Sequence, residues 1–143
     1  MRRFFVMCLG FLLALGLIPM QAGAADSVAI NEANFPDPAF REYLLQQDYG
    51  TDGVLTQTEL DVITSMVVSD MGILDLKGIE FFSQLVFLNC SYNQLSSLDV
   101  SGNIYLSTLF CFENQLSSLD VSANQELDEL SCWGNQQLNS SSS

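Results

Sequence analysis

The chain has 143 residues, which is typical of one domain, and it carries 17 acidic residues against four basic ones. It contains no histidine, which excludes serine–histidine and cysteine–histidine catalytic sites and histidine-based zinc sites. The net charge of −13 argues against nucleic acid as a partner and against attraction to anionic lipid, because both require a basic surface.

The first 24 residues have the features of a secretory signal peptide. Arg2 and Arg3 form a short positive region, the apolar run Phe4–Ile18 follows, and small residues at 22–25 offer a cleavage site. The apolar run is shorter than a membrane-spanning helix needs. We therefore expect a secreted or cell-surface protein that has no membrane contact after the signal peptide is removed.

Residues 26–61 are predicted to form a small helical cap. Asp37 is a favourable N-cap residue and Pro38 a favourable first-turn residue, so a helix should run from Pro38 to about Gln47. Its apolar side would carry Phe40, Tyr43 and Leu44. A second short helix is expected over residues 57–62. Such a cap would shield the open end of the repeats that follow.

The segment Asp48–Glu59 of this cap resembles the calcium loop of an EF-hand. It reads D-Y-G-T-D-G-V-L-T-Q-T-E, with glycine at position six and an acid at position twelve, as that loop requires. The resemblance implies these candidate calcium ligands: Asp48, Asp52, Val54, Thr56 and Glu59. Gly50 departs from the pattern, because position three normally supplies a side-chain oxygen. Two alternatives stay open: a low-affinity site suited to extracellular calcium, or a loop that keeps its turn without metal. Dockerin-like modules need two such loops, and we find one.

The second half of the chain repeats at an offset of 21 residues. The unit is L-x-x-L-x-C-x-x-N-Q-L-S-S-L-D-V-S-x-N-x-x, and the segment 93–101 recurs letter for letter at 114–122. This is the leucine-rich repeat pattern, with cysteine where a third leucine usually stands. A looser version with a period of 22 residues continues upstream. Its inward-facing residues are predicted to be Ile63, Met66, Val68, Ile73, Leu76, Ile79, Phe82 and Leu85.

The repeats, together with the segment Asp75–Phe82, resemble bacterial internalin-like repeat proteins over residues 62–138. The resemblance implies an α/β fold: a short right-handed leucine-rich repeat solenoid with parallel strands on its concave face. In each coil, Leu88, Cys90 and their equivalents should point inward, and Asn93, Asn114 and Asn135 should form a ladder bonded to turn backbones. We expect Cys90, Cys111 and Cys132 to be buried apolar filler rather than a disulfide or a metal site.

The repeat falters near its end. Leu138 stands one position late, and a serine-rich tail fills residues 139–143. We find no polar-faced cap there, so the end would expose a strand edge and core leucines. We favour a truncated copy of a longer array over an end that pairs with something, such as a second copy in end-to-end self-association.

Function is expected from the outward positions of the strands, because the core of a repeat protein is generic. The candidate binding residues on this concave face are Phe87, Asn89, Tyr92, Phe110, Phe112, Glu113 and Trp133. Exposed aromatic clusters are typical of binding sites. The resemblance implies a bacterial secreted or cell-surface protein-binding module that mediates adhesion or interaction with a host or a community. Its partner would be an extracellular protein of unknown identity, with a glycan as the alternative.

We do not expect an enzyme, because nothing marks Glu113 and Glu129 as a catalytic pair at a set separation. No cofactor other than calcium is implied. The alternative interpretation is a truncated N-terminal fragment of a larger surface adhesin or carbohydrate-active enzyme.

Overall fold

The computed structural model describes residues 27–135, which contain the cap and the repeats. The predicted signal peptide at residues 1–24 and the serine-rich tail at 139–143 lie outside the described residues. So do residues 136–138, where the repeat pattern falters.

The cap contains two helices and two short strands. In chain order these are β1 (Ser27–Ala29), α1 (Pro38–Gln46), β2 (Val54–Thr56) and α2 (Gln57–Leu60). The two strands pair antiparallel, with Val28 opposite Leu55. Both predicted helices are present, and the cap also contains a two-stranded sheet that was not predicted, because strands of three residues are too short to show a periodic pattern. Both helices also end slightly earlier than expected, and Ile63 already belongs to the buried core of the first coil.

Four parallel strands form the face of the solenoid. They are β3 (Ser65–Val67), β4 (Phe87–Asn89), β5 (Thr108–Phe110) and β6 (Glu129–Ser131), hydrogen-bonded in that order. The central residues of the strands stand in register as Met66, Leu88, Leu109 and Leu130. The first three are buried, whereas Leu130 in the last described coil is 42% exposed. A short 3-10 helix (Ile79–Phe81) lies between β3 and β4. The fold is the predicted α/β leucine-rich repeat solenoid.

One continuous hydrophobic core joins the cap to the coils. Every inward-facing residue predicted for the upstream repeat is buried. Phe35 of the cap makes edge contacts with the rings of Phe40 and Phe81, at centroid distances of 5.7 and 5.6 Å. Its ring also lies 6.4 Å from that of Phe82. The cap is therefore packed against the first coil through aromatic side chains.

Two asparagine ladders hold successive coils together. The side-chain amide of Asn93 donates to the carbonyls of Val68 (2.7 Å) and Cys90 (3.0 Å), and its oxygen accepts from the amide of Ile73. Asn114 and Asn135 repeat this arrangement one and two coils later, as predicted. Asn103 and Asn124 form a second ladder that the sequence analysis missed, although both asparagines recur at the repeat period.

The three repeated cysteines are free. Cys90 and Cys111 are buried and Cys132 is half-buried. Burial raises the pKa of the Cys111 thiol to about 12 and shifts the pKa of Cys90 in the same direction. The two buried thiols are therefore protonated at neutral pH and fill the core as small apolar groups.

Candidate binding surface

The predicted aromatic residues come together on β4, on β5 and on the segments that directly follow β4, β5 and β6. We call this surface the aromatic face, and its members are Phe87, Tyr92, Phe110, Phe112 and Trp133. Phe112 and Trp133 occupy the same position in successive coils, since they are one repeat period apart. The stacking of coils thus converts a sequence period into a column of rings.

The rings of the aromatic face form an unbroken chain of contacts. Phe87 meets Phe110 edge to face at 5.6 Å, and Phe110 lies 6.3 Å from Phe112. Phe112 then stacks on Trp133 at 4.7 Å with the ring planes only 8° apart. Tyr92 meets Phe112 edge to face at 5.2 Å. These distances are in the range where aromatic pairs attract each other beyond their buried area.

Exposure differs between the middle and the margin of this face. Tyr92 and Trp133 are 53% and 55% exposed, whereas the three phenylalanines are half-buried. Asn89 lies beside them, and its side-chain oxygen accepts hydrogen bonds from the amide (3.1 Å) and the hydroxyl (2.6 Å) of Ser91. Asn89 thus supports the turn after β4.

A left-handed backbone conformation follows each strand. Asp70, Tyr92 and Glu113 have φ angles of 56°, 55° and 52°, and Gly134 occupies the equivalent position with φ 73°. This conformation costs about 1–2 kcal/mol for a residue with a side chain. It is held because Tyr92 and Glu113 donate their backbone N–H groups to the carbonyls of Phe112 (3.0 Å) and Trp133 (2.8 Å). The sequence signal for this feature was Gly134, which shares the repeat position with Tyr92 and Glu113.

The carboxylate of Glu113 lies against the next coil. A Cβ atom placed on Gly134 would stand 2.7 Å from Cδ and 2.9 Å from Oε1 of Glu113. Glu113 therefore places a negative charge beside Gly134, which directly follows Trp133 of the aromatic face in sequence. A side chain at position 134 would displace the carboxylate from this place.

The candidate calcium loop keeps several features of an EF-hand turn. Gly53 has φ 80°, as the glycine at position six requires, and the side chain of Asp52 accepts from the amide of Val54 at 3.0 Å. Thr56 caps α2, and Oε2 of Glu59 accepts from both the amide and the hydroxyl of Thr56 at 2.8 Å. Glu59 is thus part of a capping box in this conformation.

Packing explains the missing ligand at position three of the loop. A Cβ atom on Gly50 would stand 2.0 Å from the carbonyl oxygen of Leu44, so no side chain fits there. Within residues 27–135, no group of three or more His, Cys, Asp or Glu side chains is placed to hold a metal ion. Asp48 is exposed at the start of the loop. Calcium binding therefore stays a prediction.

Two shallow grooves lie along the segments that return from one strand to the next. One, of about 380 Å³, is lined by Asp99, Asp120 and several serines. Hydrogen bonds from Ser101 and Ser122 lower the pKa of Asp99 and Asp120 respectively, which keeps both carboxylates charged. These bonds form the Asx turns expected from the repeated Asp-Val-Ser segment.

Comparison with known proteins finds its matches among solved structures. No protein-family model and no curated protein matches the chain. The functional domain of InlJ from Listeria monocytogenes, which includes a cysteine ladder, superposes with a TM-score of 0.66 at 28% identity. Internalin InlF from the same species gives 0.64 at 31% identity, and internalin C2 gives 0.66 at 25%.

The similarity covers most of this chain and a smaller part of the others. It spans 77%, 78% and 78% of the present chain, but 24%, 34% and 51% of InlJ, InlF and internalin C2. The chain is thus similar to internalins in its leucine-rich repeat fold, and it spans from about a quarter to about half of the length of these proteins. Among residues 27–135, no helix combines the length and hydrophobicity that crossing a membrane requires.

Proposed function

We propose that the chain is a secreted or cell-surface binding module whose aromatic face contacts an extracellular protein. The observation that carries this proposal is the unbroken chain of ring contacts from Phe87 to Trp133 with both marginal aromatics more than half exposed. Tyrosine and tryptophan in such positions are the residues that most often dominate protein–protein binding energy.

The scaffold suits binding better than catalysis. The rings are held on hydrogen-bonded parallel strands, so the surface is largely formed before a partner arrives, which lowers the entropy lost on association. Similarity to internalins supports a bacterial surface protein with a role in adhesion. The alternative proposal is that the chain is one segment of a larger surface adhesin.

A variant that removes the rings tests this function. Phe110, Phe112 and Trp133 are replaced together by alanine, and retention of partners from an extract of extracellular and surface proteins is compared with wild type. The matched control replaces Ile104 and Tyr105, which are also exposed but lie in the turn before β5. We expect the aromatic variant to lose a partner that the control retains, while circular dichroism shows both folded.

Two outcomes would change the conclusion. Equal retention by the aromatic variant and wild type would exclude the aromatic face as the binding surface. Loss of the partner after enzymatic deglycosylation of the extract would instead identify a glycan as the ligand, since aromatic platforms also stack on sugars.

A further inference from the structure

We infer that the partner presents a basic side chain, arginine or lysine, which sits against the Phe112–Trp133 stack and pairs with the carboxylate of Glu113. This inference rests on the proposed protein-binding function and names the chemistry that the aromatic face recognises. It depends on two features of the structure: the acidic side chains near Trp133, and the small number of basic side chains in the described residues.

Two acidic residues lie near the position of Trp133, the most exposed ring of the aromatic face. The carboxylate of Glu113 is placed over the backbone of Gly134, next in sequence to Trp133. Glu129 is exposed at the start of β6, the strand that leads to Trp133. An aromatic surface attracts cations through the negative face of its rings, and a carboxylate beside it strengthens the attraction with a charge-assisted hydrogen bond.

Within the described residues, the chain has no basic side chain on the strands that carry the aromatic face. Residues 27–135 contain two basic side chains, Arg41 and Lys77, and neither lies on a strand. One guanidinium nitrogen of Arg41 donates to the carbonyls of Phe35 (2.6 Å) and Pro36 (2.7 Å) inside the cap. A cation that pairs with Glu113 would therefore be supplied by a partner, and the strongly negative net charge would attract such a partner from a distance.

A displayed peptide library provides the probe. Random peptides on phage are selected on the wild-type protein and depleted on the variant that lacks Phe110, Phe112 and Trp133. The enriched peptides are then synthesised with arginine and, as an uncharged isosteric control, with citrulline. Trp133 is the single tryptophan of the sequence, so its fluorescence reports binding at the site itself.

Matched variants separate a specific contact from general attraction. Glu113→Gln and Glu126→Gln remove the same charge, but Glu126 lies in the turn before β6 rather than beside the rings. At physiological ionic strength we expect Glu113→Gln to weaken binding about tenfold, equivalent to about 1.4 kcal/mol, and Glu126→Gln less than about twofold. Phe112→Leu should weaken peptide binding about three- to fivefold, because the stacked ring is lost.

Each other outcome overturns the inference. Enriched peptides without basic residues, no enriched peptides at all, or equal binding of the citrulline and arginine forms would show that cation recognition is not the basis. Equal weakening by Glu113→Gln and Glu126→Gln would show diffuse attraction instead. None of these results touches the proposed function, which fails separately if the aromatic variant still retains the extracellular partner.

Discussion

At the residue scale, burial decides the reactivity of the repeated cysteines. Cys90 and Cys111 are enclosed by the core, and Cys132 is only half-buried. Burial raises the pKa of Cys111 and Cys90, so these thiols do not become the reactive thiolate at neutral pH. We expect iodoacetamide to modify Cys132 in the native protein and the other two only after denaturation, as measured by peptide mass spectrometry. Modification of Cys111 as fast as Cys132 would contradict the buried arrangement.

The same pKa shifts predict a loss of stability at alkaline pH. An unfolded thiol ionises near pH 9.0, whereas the thiol of Cys111 holds its proton up to about pH 12 in the folded state. Between these values the unfolded state binds fewer protons, so the free energy of unfolding falls as pH rises. Below pH 9 the thiol is protonated in both states, so the raised pKa of Cys111 does not change the free energy of unfolding. Denaturant unfolding across this range should show a shallower decline for Cys111→Ala than for wild type. A residual slope is expected, because burial also raises the pKa of Cys90 and of Tyr49.

Asp37 is a single side chain that joins the cap to the first coil. Its Oδ1 accepts from the amides of Ala39 and Phe40 at 2.9 Å, and its Oδ2 accepts from the amide of Leu74 at 2.8 Å. The residue is 5% exposed. Asp37→Ala should lower the free energy of unfolding by about 2–4 kcal/mol, because a helix cap is lost and a buried amide is left without a partner.

A matched comparison isolates the effect of burial at Asp37. Asp52 also accepts a backbone amide, that of Val54, but it is exposed. We expect Asp52→Ala to cost less than about 0.5 kcal/mol in the same urea unfolding experiment. Similar losses for the two variants would mean that Asp37 does not connect the cap to the coil.

At the element scale, the sequence predicts periodic elements well and isolated ones poorly. The repeat placed Met66, Leu88 and Leu109 in the core because each recurs with the coil. It could not place β1, whose pairing with β2 joins residues far apart in sequence and does not recur with the coils. The bonds from Asp37 to the first coil escaped prediction for the same reason, since nothing in local sequence reports a partner 37 residues away.

The loop between α1 and α2 makes a testable prediction about calcium. Glu59→Gln is a selective variant, because glutamine still completes the capping box with Thr56 while losing the bidentate carboxylate that calcium needs. We expect millimolar calcium to raise the melting temperature of wild type slightly and saturably, and to leave Glu59→Gln unchanged. Magnesium provides the control cation. Identical melting of wild type with and without calcium would identify the loop as a turn that binds no metal.

At the scale of the whole molecule, the sequence predicted which residues form the candidate binding surface better than how they are arranged. The repeat period alone placed Phe112 and Trp133 in one column, and the structure brings their rings into contact. The left-handed backbone at Tyr92 and Glu113 was not foreseen, because neither residue type favours it. The position of the Glu113 carboxylate depends on the space left by Gly134 in the next coil, so it emerges only when the coils are stacked.

Because the cap and the coils share one hydrophobic core, the described domain should unfold as a unit. Gly78 lies at the centre of this connection: it has φ 104°, and a Cβ atom there would stand 2.1 Å from Cδ1 of Phe35. Gly78→Ala should therefore destabilise the protein by more than about 3 kcal/mol, combining backbone strain with overpacking.

Gly53 provides the control for strain without steric conflict. It has φ 80°, and a Cβ atom would meet nothing within 4 Å, so Gly53→Ala should cost only about 1–2 kcal/mol. Unfolding is followed by circular dichroism and by fluorescence of Trp133, which lies in the coil farthest from the cap among the described residues. If one core unites the molecule, Gly78→Ala shifts both signals together, because damage beside the cap lowers the stability of the distant coil. A fluorescence transition that stays at its wild-type midpoint while the circular dichroism transition moves would show that the coils fold independently of the cap.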